Sequence, residues 1–512
     1  MSLGLDRRIA SWGLAHSFAI KQYRPPALPL AHRLSGLDMA LVCLFVIGLY
    51  TNYTIPISAK IPFPSAPAGV AGLLLLWRRR HDITTRSFTC FMAVIFLYVA
   101  SILCATNIEF LSRRFNGLIQ LTYSLTIGYG LFLTVVRANR RQAATLFLAV
   151  SLVILIGCLL ETYGGLRPIS DAARNVLYQR GVYENDLRDM MFYNRVRPKF
   201  FASEPSSVTF IYTLCTFLWL VISPWRHKVL VYLALAGLGM FAMPGPTLLL
   251  MLLLIMPYML FLASRVAGRL SGTRVVKVLL AGAVLLTVFF VAANVLFAER
   301  LRETTNGNDP SFFYRVQGPA LVGAYIGQNY PLAGTGLTGE PFIERQVINV
   351  YVSSPSFSSG WQILSPATEL VINYFWLHWI YLGVLWGTVL AIALTLWLRV
   401  LGVPSPAFAW MMWAILGQSS GAYVGPTCWA VFFLAAAAAV LQQRPREVDE
   451  APLVQPAPPP DVRGAWLETI VTRAATRSTT PARSLTLVQA VDDRPHIERL
   501  GPFPPQGRDA AD

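Results

Sequence analysis

Two stretches of this sequence combine residue types that could carry chemistry. The first reads Arg195-Val196-Arg197-Pro198-Lys199-Phe200-Phe201-Ala202-Ser203-Glu204-Pro205-Ser206-Ser207. Three cations precede a carboxylate, and Pro205 suits the first position of a helix. Glu204 or Ser203 is then placed to cap that helix with its side chain, near the positive end of the helix dipole. One reading needs nothing beyond a capping acid and interfacial cations. The functional reading is a carboxylate held between a helix start and arginines at a membrane surface, ready to accept a proton or orient a hydroxyl group. An ionisable group at membrane depth is a functional hypothesis by default.

The second stretch is Ser311-Phe312-Phe313-Tyr314-Arg315, followed by an apolar run and then Asn329-Tyr330-Pro331-Leu332-Ala333-Gly334-Thr335-Gly336. Arginine grips phosphate through two parallel hydrogen bonds and needs no metal to do so. A Gly-Thr-Gly turn at Gly334 and Gly336 lets backbone N–H groups come close to an anion. The plainer alternative is an interfacial arginine before an ordinary glycine turn, and no phosphate-loop lysine follows. Arg167, Asp171, Arg174, Arg180, Glu184, Asp186, Arg188 and Asp189 crowd the region ahead of the first stretch. Most read as solvated helix faces and surface pairs, with Arg180 and Arg188 as secondary candidates for a phosphate or an anionic sugar. Glu369 reads as a helix-start acid, and His378, between Leu377 and Trp379, as a packed, hydrogen-bonded histidine.

The elements that must position these residues are membrane helices. Of the 512 residues, 55% are hydrophobic and 13% charged, against about 25% charged in soluble proteins. Apolar runs long enough to cross a hydrocarbon core recur along the chain. They predict spans near residues 37–54, 62–77, 87–105, 117–136, 143–160, 205–222, 229–243, 247–263, 278–297, 370–397, 407–424 and 427–441. The Pro244-Gly245-Pro246 hairpin separates the seventh from the eighth. Short loops on one side hold Arg78, Arg79, Arg80 and Arg86, then Arg137, Arg140 and Arg141, then Arg226 and Lys228, then Arg265, Arg269, Arg274 and Lys277. The other side offers only Lys60, Arg113 and Arg114. The positive-inside rule puts the first group, and both termini, in the cytoplasm. The expectation is an all-α polytopic bundle of about twelve spans over residues 37–441, with two long periplasmic loops, 161–204 and 298–369, containing short helices.

Residues 1–36 read as a polar, basic cytoplasmic segment lacking the apolar core of a cleavable signal. Residues 442–512, rich in Pro, Ala, Arg and Asp, read as a disordered cytoplasmic tail, with one possible amphipathic helix at 462–474. A net charge of +16 raises the question of nucleic acid, but the cations cluster beside apolar runs. That is the pattern of topology signals and contacts to anionic membrane lipid, so no nucleic-acid partner is expected. The six cysteines lie in or at the ends of apolar runs, so neither a disulfide framework nor a thiol-rich metal site is expected.

At this topology the two stretches resemble the O-antigen ligase and Wzy-type polysaccharide polymerase superfamily. The family pattern is an arginine-containing stretch leading into Phe-x-x-Glu-Pro-Ser at the outer end of a span, then a Ser-x-x-x-Arg element and a Pro-Leu-x-Gly-x-Gly turn in a long outer loop. Here these read Arg197 through Phe201 to Glu204-Pro205-Ser206, then Ser311 to Arg315, then Pro331 to Gly336. Ligases of the family carry a His-Asn element late in the second long loop. This chain has Ser365-Pro366-Ala367 and Glu369 there, and no histidine in either long loop. The departure favours a polymerase, and the general make-up is similar to exopolysaccharide polymerases.

The resemblance implies a polyprenyl-diphosphate-linked oligosaccharide repeat as substrate, presented at the outer leaflet of the bacterial inner membrane. It implies a glycosyl transfer without metal or other cofactor, with Glu204 and Arg315 catalytic. Arg197, Lys199, Arg180, Arg188, Gly334 and Gly336 would bind the substrate. A chain-length-regulating co-polymerase and export proteins are the implied partners. The competing readings are a ligase-type glycan transferase and a lipid-linked oligosaccharide flippase. A flippase would place charges inside the spans and show symmetric halves, and neither is visible in the sequence.

Overall fold

A backbone crossing hydrocarbon must satisfy its own hydrogen bonds, so long apolar runs become helices. In the computed structural model, which describes residues 33–58, 61–178, 183, 186–263, 272–296, 298, 302, 309, 312–357 and 366–444, they do. The helices are α1 (Gly36–Thr51), α2 (Ala66–Arg78), α3 (Thr85–Leu103), α4 (Leu111–Arg137), α5 (Arg140–Tyr163), α6 (Arg167–Leu177), α7 (Asp186–Tyr193), α8 (Pro205–Ile222), α9 (Lys228–Ala242), α10 (Leu250–Pro257) and α11 (Gly272–Leu296). After the second long loop begins come α12 (Gly318–Asn329), α13 (Glu344–Val352), α14 (Ala367–Leu370), α15 (Tyr374–Val400), α16 (Pro406–Gly417) and α17 (Pro426–Gln443). One small antiparallel hairpin, β1 (Ile55–Ser58) with β2 (Ile61–Phe63), joins α1 to α2. Among the described helix starts, side-chain caps are carried by Ser35 on α1, Thr84 on α3, Asn139 on α5 and Asn373 on α15.

The chain is a multi-pass helical membrane protein. Among the described residues, six stretches are long and apolar enough to span a bilayer: Thr85–Leu103, Ile108–Arg137, Arg140–Tyr163, Pro205–Ile222, Tyr374–Val400 and Pro426–Gln443. Shorter apolar helices occupy the remaining expected positions. Residues 1–32 and 445–512, which include the stretch 462–474, lie outside the described residues, as do Arg180, Glu184, Ser311 and Ser365.

The centre of the bundle is α17, in which every residue from Cys428 to Leu441 is at most 2% exposed. It packs against α4, α16 and α8, while α8 also lies along α5 and α2 joins α1 to α4. Other helices turn large apolar side chains outward. Phe88, Met92 and Phe96 on α3 and Val284, Val288 and Val291 on α11 are exposed, as suits helices bathed in lipid.

Two arginines close helix ends. Arg140 donates to the Ile222 carbonyl at the end of α8 (2.5 Å), and Arg444 to those of Val136 (2.5 Å) and Ala138 (3.2 Å) at the end of α4. Positive charge against unsatisfied C-terminal carbonyls is favourable. Asp38 is bonded by both Arg78 (2.7 Å) and Arg79 (2.8 Å), fixing α1 to α2.

Candidate functional site

At the start of α8, the first long loop is drawn into a tight fold that presents Glu204. Phe200 and Phe201 hold φ values of +35° and +65°, a region costly for side chains with a Cβ. The surroundings over-determine this shape. Glu161, buried at the end of α5, accepts the N–H groups of Lys199 (2.9 Å) and Phe200. Ser170 on α6 accepts the Phe201 N–H (3.0 Å) and donates to Glu161 (3.2 Å). The Tyr50 hydroxyl donates to the Phe200 carbonyl (2.5 Å) and that of Tyr178 to the Phe201 carbonyl (3.1 Å). Burial pushes the Tyr178 pKa up to about 12, so it remains a donor. Arg174, fully buried, donates to the carbonyls of Ala202 (2.8 Å) and Ser203 (3.3 Å). Strain held this way is a recurring mark of functional sites.

Glu204 occupies the N-cap position of α8, with Pro205 first in the helix, yet its side chain makes no capping bond. Among the described residues its carboxylate has no hydrogen bond or ion pair. Instead it lines a cavity of about 210 Å³ shared with Arg315, Arg197, Arg188 and Asp189. Tyr183, Phe192 and Tyr193 form an aromatic side, and the segment Gly245–Thr247, after α9, closes another. The capping role open to Glu204 is therefore not the one its side chain takes.

Among the described residues, Asp189 is held in an ion pair and Glu204 is not. Arg197 Nε donates to Asp189 Oδ1 (2.8 Å) and its terminal nitrogen to the Tyr183 hydroxyl (3.0 Å), which itself donates to Asp189 (2.9 Å). Its guanidinium also lies 5.0 Å from the Tyr193 ring centre. Burial alone would lower the Arg197 pKa, but Tyr193, Asp189 and Tyr183 outweigh it and hold the pKa above its usual value. Arg188 pairs with Asp309 of the second long loop (3.0 Å). Arg315 sits in a π-helical turn, Phe313–Gln317, that leads into α12. Its backbone carbonyl accepts the Asn373 side-chain amide (2.6 Å).

Not every charge of the first long loop is solvated, and not every candidate residue lines the cavity. Arg174 and Asp189 are not solvated surface charges: both are buried, one stapling the chain before Glu204 and the other anchoring Arg197. Lys199 and the glycine turn do not line the cavity. Lys199 is buried and bonds Asp186 (3.0 Å).

The glycine turn serves a broken helix instead. Gly383, with φ +66° and ψ −174°, interrupts α15, which strands backbone groups on both sides of the break. The Thr335 and Gly336 N–H groups donate to the Ile380 and Tyr381 carbonyls (2.9 Å each), and the Pro331 carbonyl accepts Val384 N–H (2.7 Å). The Gly334 N–H goes to the Tyr330 carbonyl (3.0 Å). The donors expected to meet an anion are already used.

Arg114, fully buried, braces this turn through the Thr335 carbonyl (2.7 Å). Glu340, buried beside it, accepts the Tyr381 hydroxyl and lies 4.0 Å from Arg113. His378 is buried between the Tyr423 hydroxyl (2.9 Å) and the Gly387 carbonyl (3.0 Å), and Glu369 is exposed on α14.

Sequence reasoning passed over Glu161 and Asp309. Glu161 was legible only as an acid at the end of an apolar run, and Asp309 as one polar residue in a long loop. Among the described residues, no group of three or more His, Cys, Asp or Glu side chains is placed to hold a metal ion. No protein-family model matches the chain, and comparison with curated proteins finds no match.

Proposed function

We propose that this protein is a polysaccharide polymerase of the O-antigen and exopolysaccharide type, joining polyprenyl-diphosphate-linked oligosaccharide repeats at the outer face of the bacterial inner membrane. In this reading the chain crosses the membrane twelve times, both termini are cytoplasmic, and the loops 161–204 and 298–369 face the periplasm. One observation carries the proposal: Glu204 and Arg315, from motifs far apart in sequence, line one cavity. A single carboxylate without a partner among the described residues, in a wall of guanidinium groups, suits a reaction that removes one proton and releases one polyanion.

In that reaction an acceptor sugar hydroxyl forms a bond to the anomeric carbon of the donor glycan as the bond from that carbon to the diphosphate oxygen breaks. Glu204 takes the hydroxyl proton. The departing lipid diphosphate keeps the electron pair, and Arg315 meets the charge as it develops. Arg197 and Arg188, fixed by Asp189 and Asp309, line the same cavity as preorganised N–H donors. Removing a preorganised electrostatic partner of this kind costs about 100–1000-fold in rate.

Cells carrying Glu204→Gln or Arg315→Ala should therefore accumulate single lipid-linked repeats and display no long chains. Unchanged chain length in either variant, at normal protein level, refutes the assignment.

A further inference from the structure

Asp309 stands in the second long loop with its side chain fully withdrawn from solvent. One carboxylate oxygen receives two donors from different parts of the chain. Arg188, on α7 of the first long loop, reaches it at 3.0 Å, and the Phe312 N–H approaches it at 3.4 Å. The Asp309 backbone carbonyl accepts the Phe313 N–H (3.1 Å). Phe313 opens the turn on which Arg315 is carried. Asp309 therefore holds, through its carboxylate and its backbone carbonyl, the two N–H groups at which the turn presenting Arg315 begins.

The other flank of that turn is held separately. Ile372 N–H donates to the Tyr314 carbonyl (3.0 Å) and the Asn373 amide to the Arg315 carbonyl (2.6 Å). These bonds tie the turn to the start of α15, whereas Asp309 ties it to the first long loop, which also supplies Glu204 and Arg197.

We infer that Asp309 is a positioning residue: through its bond to Arg188 and its hold on the turn at Phe312 and Phe313, it fixes Arg315 relative to Glu204. The inference rests on the proposed function. Its physical basis is that a buried carboxylate is stable only with its donors in place, so it locks both loops in one arrangement. A displacement of about 1 Å at a reacting group can cost on the order of 100-fold in rate. Asp309 never touches substrate in this scheme; its effect passes chiefly through Arg315, and in lesser part through the Arg188 it holds.

The test uses the purified full chain in liposomes with a polyprenyl-diphosphate-linked repeat unit. Asp309→Ala should lower kcat about tenfold or more while KM stays within about twofold, the pattern of an interaction made only in the transition state. Asp309→Asn, which keeps an oxygen for the N–H groups but loses the charge facing Arg188, should fall less. On an Arg315→Lys background, Asp309→Ala should cost less than about a further twofold, because residues acting as one unit are not additive.

An equal loss on both backgrounds overturns the inference, as does full activity of Asp309→Ala. Should Asp309→Ala not purify as a folded protein, Asp309→Asn carries the same comparison: a loss in the wild-type background that vanishes with Arg315→Lys supports the inference, and an equal loss on both overturns it. Absence of chain growth by the wild-type protein overturns the proposed function itself. An Arg315→Ala loss with Asp309→Ala unaffected overturns this inference alone.

Discussion

Arg197 Nε and Asp189 Oδ1 are 2.8 Å apart, with side chains 13% and 1% exposed. Asp189 also accepts the Arg197 backbone N–H (3.3 Å) and the Tyr183 hydroxyl (2.9 Å). Taking away one partner of a buried pair leaves an uncompensated charge, which costs about 3–5 kcal/mol. Asp189→Ala should accordingly lower the thermal transition of the detergent-purified protein by several degrees and reduce chain growth. A transition equal to that of the wild type would mean that the pair does not hold the first long loop.

The glycine turn makes a different demand. Gly336 has φ +76°, and a Cβ there would lie 2.4 Å from Arg114 Nε and 3.0 Å from the Ala105 methyl. At Gly334, φ +56°, a Cβ would lie 2.3 Å from the Ile380 carbonyl oxygen. Left-handed backbone alone costs a non-glycine residue about 1–2 kcal/mol, and at Gly334 backbone atoms, at Gly336 the buried Arg114 side chain, stand in the way as well. Gly334→Ala and Gly336→Ala should fail as folded proteins, seen as low yield and aggregation on size exclusion. Either variant purifying as a monodisperse protein that lacks only activity would instead return the turn to a substrate-binding role.

Glu340 gives a pH dependence of known sign. Burial, only partly offset by the Tyr381 hydroxyl and Arg113, raises its pKa above the usual 4.5. A carboxyl group with a raised folded-state pKa stabilises the fold below its unfolded pKa, and that contribution is lost as pH rises through the folded value. Glu340→Gln, which fixes the neutral form, should therefore raise the thermal transition at pH 7 and change it little at pH 4. A variant less stable than wild type at pH 7 would show that the ionised form is the one the site prefers.

How much of this could be read from the sequence follows from the range of the forces involved. Helix positions depend on local apolar length, which is why the expected apolar runs fall largely on helices, six of them among the described residues long and apolar enough to cross a bilayer. Glu204 and Arg315 were identifiable as charged residues beside apolar runs. Their meeting in one cavity depends on how two long loops fold over each other, and nothing local encodes that. The burial of Arg174 and Asp189 is illegible for the same reason: their partners, Ala202 and Arg197, lie further along a stretch that is polar throughout. The bracing contacts of the glycine turn are illegible because the break at Gly383 lies some fifty residues downstream inside an apolar run.

The most direct measurement is reconstitution. Purified wild-type protein in liposomes, given a single species of polyprenyl-diphosphate-linked repeat unit, should produce a ladder of longer glycans and release one polyprenyl diphosphate for each bond formed. Glu204→Gln and Arg315→Ala, matched for fold by their thermal transitions, should produce neither. Ladder formation by both variants at the wild-type rate, or none by the wild-type protein, would contradict the account.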